Sequence, residues 1–204
     1  MPLKRSRPRT EEKFQNAVVD LIAEGGCGAI GINAVAQRAG ADKVLIYRYF
    51  GDLNGLWQRV ADSRLWLPEI STLLGQVQHL QNPVDVIRRI ISEFSHWFRG
   101  NRAASKLIAW RKAARNPLTD HFTQQWNLLW KGLGERLSHG LEFAQRRQWA
   151  CACELAALIV EADVCNQAVD SHCIDTVADR LELGSFATPP IQNVGEATLP
   201  TNLL

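Results

Sequence analysis

No stretch of this sequence approaches the ~20 consecutive apolar residues that a membrane-spanning helix needs. Its start also lacks the apolar core of about 7 to 15 residues that marks a secretory signal. The expectation is a soluble, cytoplasmic protein with no membrane partner. Catalytic signatures are missing too. His79, His96, His121, His139 and His172 are scattered, and there is no H-E-x-x-H pair, nucleophile elbow or phosphate-binding glycine loop. Neither an enzyme nor a cofactor or metal site is expected, and a helical enzyme is the remotest reading. Cysteine is sparse and odd in number, five residues in all, which does not suit a secreted disulfide framework. On one helix, Cys151 and Cys153 would point about 200° apart, because an α-helix turns ~100° per residue, and that opposes a shared metal. With Cys165 and Cys173 they read as buried thiols, redox sensing being the alternative. Strand-like alternation is absent as well, which leaves an all-α chain.

What is present is enough apolar material for a sizeable core: 46% of 204 residues. The net charge of +2 is unevenly spread. Residues 1–60 carry nine Lys or Arg against six Asp or Glu, whereas the remainder carries fourteen against fifteen. Lys4, Arg5, Arg7 and Arg9 stand close together with no acid among them, and Pro2 and Pro8 argue against a helix there. This reads as a basic arm, either touching a minor groove or phosphates or simply solvated.

The first helix follows, capped by Thr10 and favoured at its positive end by Glu11 and Glu12. Phe14, Ala17, Val18, Leu21 and Ile22 form its apolar stripe, and Gly25 and Gly26 end it. Residues 26–56 then read as two short helices joined by a tight turn. Ile32, Val35, Ala36 and Ala39 share one face of the first. Gly40 makes the turn without a Cβ clash, and Asp42 can accept from the free N–H groups of the next helix. Ile46 and Phe50, four apart, point inward. Lys43, Val44, Leu45, Tyr47, Arg48 and Tyr49 are left nearer the outside, a mixture of basic, aromatic and aliphatic groups that suits a major groove. A fourth helix is expected from Asp52 to Leu67, with Pro68 as its break.

Beyond it, Pro83 opens a helix after Asn82 that carries Val86, Ile87, Ile90, Ile91, Phe94, Trp97 and Phe98, and Gly100 closes it. Another spans about residues 102–115. Asn116-Pro117 starts the next, with Phe122, Trp126, Trp130, Leu133, Leu137 and Leu141 on one side. Residues 148–169 are apolar almost all round and must be covered on more than one side. From Ala187 onward Thr, Pro, Gly and Asn accumulate without periodicity, as in a flexible tail.

Residues Ala36, Ala39, Gly40, Tyr47, Phe50 and Leu56, with the amphipathic helix upstream, resemble the DNA-binding region of the tetracycline-repressor (TetR) family. The resemblance implies an N-terminal three-helix helix-turn-helix domain over residues 1–52. A helical effector-binding and dimerisation domain over 53–186 and a tail over 187–204 would follow. It makes residues 43–49 the reading segment, supported by Asn33 and by Arg5, Arg7 and Arg9 of the arm. It also implies a homodimer on a two-fold, double-stranded DNA operator, released by a small-molecule effector. Several positions depart from the family pattern. Ile30 and Gly31 stand where a Thr or Ser pair is usual, Ala41 replaces a valine, Val44 a small residue, Leu45 a polar one, and Leu53 a lysine expected to meet a phosphate. Two apolar groups on the reading face favour thymine methyls over guanine hydrogen bonds.

The family dimerises through its last two long helices, and residues 149–169 with the segment about 172–183 fall there. Leu155, Ala157, Leu158, Ala162 and Cys165 are the interface candidates, a central core helix being the alternative. For the effector, Phe94, Trp97, Trp110, Trp126 and Trp130 could line an apolar-aromatic cavity, though stripes of this kind more often form core. Residues 88–115 hold eight basic side chains against the single acid Glu93. Arg111, paired with Arg115 on the next turn, is the candidate for an anionic effector. The function expected is a ligand-responsive transcriptional repressor. Ile30, Gly31 and Leu53 motivate the alternative of a ligand-binding or protein-interaction module with weakened or lost DNA binding.

Overall fold

The computed structural model describes residues 7–25 and 30–165. Among these the chain forms nine α-helices and no strand: α1 (Arg7–Gly25), α2 (Ile32–Ala39), α3 (Val44–Phe50), α4 (Leu53–Asp62), α5 (Ile70–Gly75), α6 (Pro83–Gly100), α7 (Arg102–Ala113), α8 (Pro117–Leu137) and α9 (Phe143–Val164).

α1 starts three residues before the expected Thr10 cap. Proline is tolerated in the first helical turn, where its missing N–H would have no partner anyway, so Pro8 admits the helix that it was expected to exclude. Arg7 and Arg9 therefore belong to a helical turn rather than to an arm, while Arg5 lies outside the described residues. Thr10 is buried within the helix, and Arg7 reaches Glu11 one turn on at 2.6 Å. Of the expected stripe, Phe14, Ala17, Val18 and Ile22 are buried and Leu21 is half-buried.

α4 is shorter than expected. The Ser63 N–H and Oγ both donate to the Val60 carbonyl and end the helix. The chain then folds back so that the Trp66 indole N–H donates to the Ala61 carbonyl at 3.3 Å, and Trp66 and Leu67 are buried. The break thus precedes Pro68. Side-chain caps start the longer helices where the sequence places them. Asn82 accepts from the Val84 N–H at 2.8 Å ahead of Pro83, and Asn116 forms a reciprocal capping box with Thr119 ahead of Pro117. α8 stops at Leu137 and the chain turns at Gly140, φ +81°, so Leu141 falls outside the stripe it was expected to extend.

α1 packs on α2, α4 and α7, α3 on α4, and α4 on α8, while α9 lies against α6 and α8 and touches α7. Phe94, Phe98, Phe122, Trp126 and Trp130 fill the middle of the α6–α9 bundle. α9 is less uniformly apolar in use than in sequence. Trp149, Ala152, Cys153, Ala156, Ala157 and Val160 are buried in the chain's own core, whereas Cys151, Glu154 and Leu158 face outward.

Candidate nucleic-acid interface and groove

The expected reading helix, α3, is set by two local devices. α2 ends in a left-handed Gly40, φ +59°, with the Gly40 N–H donating to the Gln37 carbonyl and the Ala41 N–H to the Ala36 carbonyl. This pair of bonds is the Schellman stop, which satisfies the last carbonyls of α2 and turns the chain sharply. Two residues on, the Asp42 carboxylate accepts from the Val44 N–H at 2.9 Å and starts α3. At its far end Gly51, φ +82°, donates to the Tyr47 carbonyl, and Asp52 caps α4 by accepting from the Gly55 N–H at 2.8 Å. The joint is close. A Cβ on Gly55 would stand 1.9 Å from the Phe50 carbonyl oxygen. Nothing in the sequence pattern singled out Gly55, because close approach of two helix ends is a property of the fold.

α3 then sorts its residues. Ile46 is fully buried and Phe50 packs edge-on against Phe14 of α1, ring centroids 6.1 Å apart. Lys43, Val44, Tyr47 and Arg48 are exposed along the outer face, Val44 by 60% and Tyr47 by 52%. Leu45 and Tyr49, expected among them, are half-buried against the core. Their angular position on the helix, next to Ile46 and Phe50, accounts for the difference. The Arg7 guanidinium stacks 5.2 Å over the Tyr49 ring, which fastens the start of α1 to the end of α3. Asn33 is exposed on α2 and accepts from Lys43 Nζ at 3.4 Å. Arg9 is exposed on the first turn of α1.

Arg38, near the end of α2, is committed elsewhere. It grips Glu24 of α1 with both guanidinium branches, Nη1 reaching Oε1 at 2.7 Å and Nη2 engaging Oε2. That grip holds the Glu24 carboxyl below its ordinary value and raises Arg38 above its own. Gly31 leaves the start of α2 without a side-chain cap. Leu53 is half-buried against the core at the start of α4.

The aromatic set does not surround one cavity. Phe94 stacks on Trp130 at 4.6 Å and meets Trp126 edge-on at 6.0 Å, and Trp97 sits half-buried against Phe98. Trp110 turns away from them and packs edge-on against Trp57 of α4 at 5.2 Å. A groove of about 1090 Å³ lies between α8 and α9 instead, and of the proposed ligand residues only Arg111, Trp126 and Trp130 line it. Arg111 and Arg115 diverge. Arg115 is on the surface, paired with Asp120, whereas Arg111 is buried in an ion pair with Glu161 of α9. Lys112 joins the same carboxylate at 2.6 Å. The Arg111 guanidinium also lies 4.9 Å over the Trp126 ring, and burial pulls it below its ordinary value. Glu161 was missed in the sequence, where it stands with Glu154 and Asp163 as acids in a largely small and aliphatic segment and nothing marks it as the buried one.

Among the interface candidates, Leu158 is 60% exposed, Leu155, Ala162 and Cys165 are half-buried, and Ala157 is buried against its own chain. Burial pushes the Cys153 thiol up to about 12, which keeps it protonated and chemically quiet. Cys151 is exposed, and Cys173 lies outside the described residues. None of the described helices is long and apolar enough to cross a membrane.

Residues 16–60, which hold most of α1 and all of α2 and α3, match the family model described as bacterial regulatory proteins, tetR family. A search of curated proteins finds no match. Among solved structures the chain is similar to HlyIIR, a hemolysin II transcriptional regulator, with TM-score 0.56, 16% identity, and 86% of this chain and 98% of that one covered. It is also similar to NalD, the secondary repressor of the MexAB-OprM multidrug efflux pump in Pseudomonas aeruginosa, with TM-score 0.53, 13% identity, and coverage of 93% and 99%. A third is RolR in complex with resorcinol, with TM-score 0.51, 18% identity, and coverage of 91% and 98%. At these identities the likeness speaks to the fold, and it runs the length of the relatives. The match places residues 16–60, with the helix-turn-helix built on α2 and α3, in the tetR family of bacterial regulatory proteins, and the helical remainder shares the fold of these solved structures.

Proposed function

We propose that the protein is a transcriptional repressor that binds a two-fold DNA operator as a homodimer and releases it when a small molecule occupies the α6–α9 region. The observation that carries this reading is the outer face of α3. Lys43, Val44, Tyr47 and Arg48 are all exposed there, on a helix fixed at both ends by glycine turns and aspartate caps. A helix so presented fits a major groove, with Arg48 and Lys43 as donors and Val44 and Tyr47 as apolar contacts. DNA selected from a random pool by the full chain tests it. In a gel shift on the selected sequence, Arg48→Ala is expected to cost about 1–3 kcal/mol per half-site and relax one base position if Arg48 reads a base. Uniform weakening of all sequences would make it a phosphate contact, and unchanged binding would move the reading surface elsewhere.

Dimerisation is proposed through the outward face of α9, where Leu158, at the rim of the α8–α9 groove, is exposed beside Leu155 and Ala162, so that a partner would roof the groove without filling it. Leu158→Glu places a charge at that seam and should give a monomer in sedimentation. A monomeric wild-type chain would remove this part of the reading. Ala157, buried in its own chain, is no test of an interface.

Release has a physical route. α4 follows the reading helix directly and packs on α8, and its Trp57 meets Trp110 of α7, the residue before Arg111. An occupant that shifts α7 or α8 moves α4, and with it the spacing of the two reading helices, so that both no longer fit successive major grooves. The second reading, a TetR-like module with weakened DNA binding, draws on the uncapped α2 start and the half-buried Leu53. Failure to select any DNA would favour it.

A further inference from the structure

The groove between α8 and α9 has an unusual floor. Arg111 and Glu161 are each 8% exposed, and Lys112 Nζ, from outside the groove, brings a second cation to the same carboxylate, while Lys131 and Arg146 balance Glu135 and Glu154 around the rest of the lining. Two N–H groups there, Arg111 Nε and Trp130 Nε1, are buried without an acceptor. Buried donors are almost always partnered, and each orphan carries a desolvation cost that only an acceptor removes. Both unpartnered groups among the residues lining the groove are donors. The indoles of Trp126 and Trp130 supply flat apolar surface beside them.

We propose that this groove binds a planar aromatic anion, its ring against Trp126 and Trp130 and its anionic oxygens on Arg111 and the Trp130 indole N–H. The inference deepens the effector-responsive reading and rests on it for its purpose, while its geometry stands on the groove alone. Glu161 currently occupies one branch of Arg111, and Lys112 already holds its other oxygen. A ligand carboxylate therefore replaces one carboxylate by another on Arg111, and Glu161 keeps a cation. Such an exchange avoids leaving a buried charge alone, which is what makes single-partner removal costly. Arg111 also offers a guanidinium edge suited to a planar carboxylate, and the groove, at about 1090 Å³, lies just above the range of small-molecule sites, roughly 300–1,000 Å³.

The test is calorimetric titration of the full chain with 2-naphthoate and with its neutral counterpart 2-naphthamide. The acid is expected to bind and the amide to bind roughly tenfold or more weakly, as the loss of a charge-assisted hydrogen bond implies. Trp130→Phe keeps the flat surface, removes one donor and should weaken the acid several-fold. Arg111→Met with Glu161→Gln removes both charges together and should weaken it by at least the same factor as the amide. If that double variant does not fold, Trp130→Phe and the acid-to-amide ratio still decide. No binding of the acid, equal binding of acid and amide, or full binding by the folded double variant overturns the proposal. So does binding that strengthens as the protein is diluted, which would give the groove to a second copy of the chain. Operator binding without 2-naphthoate is measured separately, so that failure of the groove and failure of the regulator reading are told apart.

Discussion

The helix-turn-helix end and the α8–α9 end satisfy their polar groups in opposite ways. Around α3 nearly every bond is local. Gly40, Asp42, Gly51 and Asp52 close turns and caps within five residues of their partners, and the buried side chains Phe14, Val18, Val35, Ile46 and Leu56 are hydrocarbon. At the other end a buried guanidinium meets a buried carboxylate from a helix some fifty residues away in sequence. There Arg111 Nε, Trp130 Nε1 and Trp149 Nε1 are left without partners. The first arrangement gives a rigid surface that can be held out to a partner. The second holds charge in a poorly polarisable interior, where a change of partner is felt strongly. The proposed function calls for one of each: a fixed reading surface and a site whose energy depends on what occupies it.

The largest effect should come from breaking the charged end on one side. Glu161→Leu leaves Arg111 buried without its carboxylate and is expected to cost about 3–5 kcal/mol in urea unfolding. Arg111→Met added to it removes the stranded charge and should recover most of that loss. A single variant as stable as wild type would mean that water or Lys112 rearrangement already relieves the charge.

A smaller effect is expected at the reading end, from geometry instead of charge. Gly55→Ala drives a methyl into the Phe50 carbonyl, 1.9 Å from where the Cβ would sit. The first turn of α4 must then back away from the end of α3, at a cost of about 1–3 kcal/mol, the usual range for overpacking. Because that joint aims α3, operator affinity in a gel shift should fall even under conditions where circular dichroism shows the variant folded. Full affinity in a folded Gly55→Ala protein would show that α4 does not set the reading helix.

The same contrast explains what was legible in the sequence. Caps, glycine turns and 3.6-residue stripes are local, so the α2 turn, the Asn82-Pro83 and Asn116-Pro117 starts and the inward Ile46 could be read directly. Proline at Pro8 misled because its effect depends on whether it falls in the first turn of a helix or within it. Aromatic residues misled for a different reason. Spacing places Phe94, Trp97, Trp110, Trp126 and Trp130 on inner faces but is silent on which helix each face meets. Trp110 therefore could equally have joined the others, whereas it packs on Trp57. The Arg111–Glu161 pair, Gly55 and the groove are all products of non-local approach. For Tyr49 the same source adds to its angular position, since Arg7 of α1 covers its ring, whereas the half-buried state of Leu45 follows from its place beside Ile46 on the helix.

The smallest effect concerns the two-branched ion pair between α1 and α2. Arg38 binds Glu24 through a side-chain hydrogen bond first and its charge second, with Arg102 of α7 adding a weaker pull, and together they lower the Glu24 carboxyl. A carboxyl depressed in the folded state binds its proton less readily than in the unfolded chain. The stabilisation is therefore complete above the unfolded value near 4.5. It fades as pH falls through the lower folded value. Both groups are open to solvent, so salt should screen the effect and its contribution to stability should be slight. The direct measurement is carboxyl NMR titration of Glu24, which should lie below its ordinary range in wild type and return to it in Arg38→Gln. Added salt should move it the same way by a smaller amount. An ordinary Glu24 titration in the wild-type protein would mean that the Schellman turn and the apolar contacts of Val35 and Ala36 position α2 without help from the pair. In that case the reading end would carry no functional charge except on the face it offers to DNA.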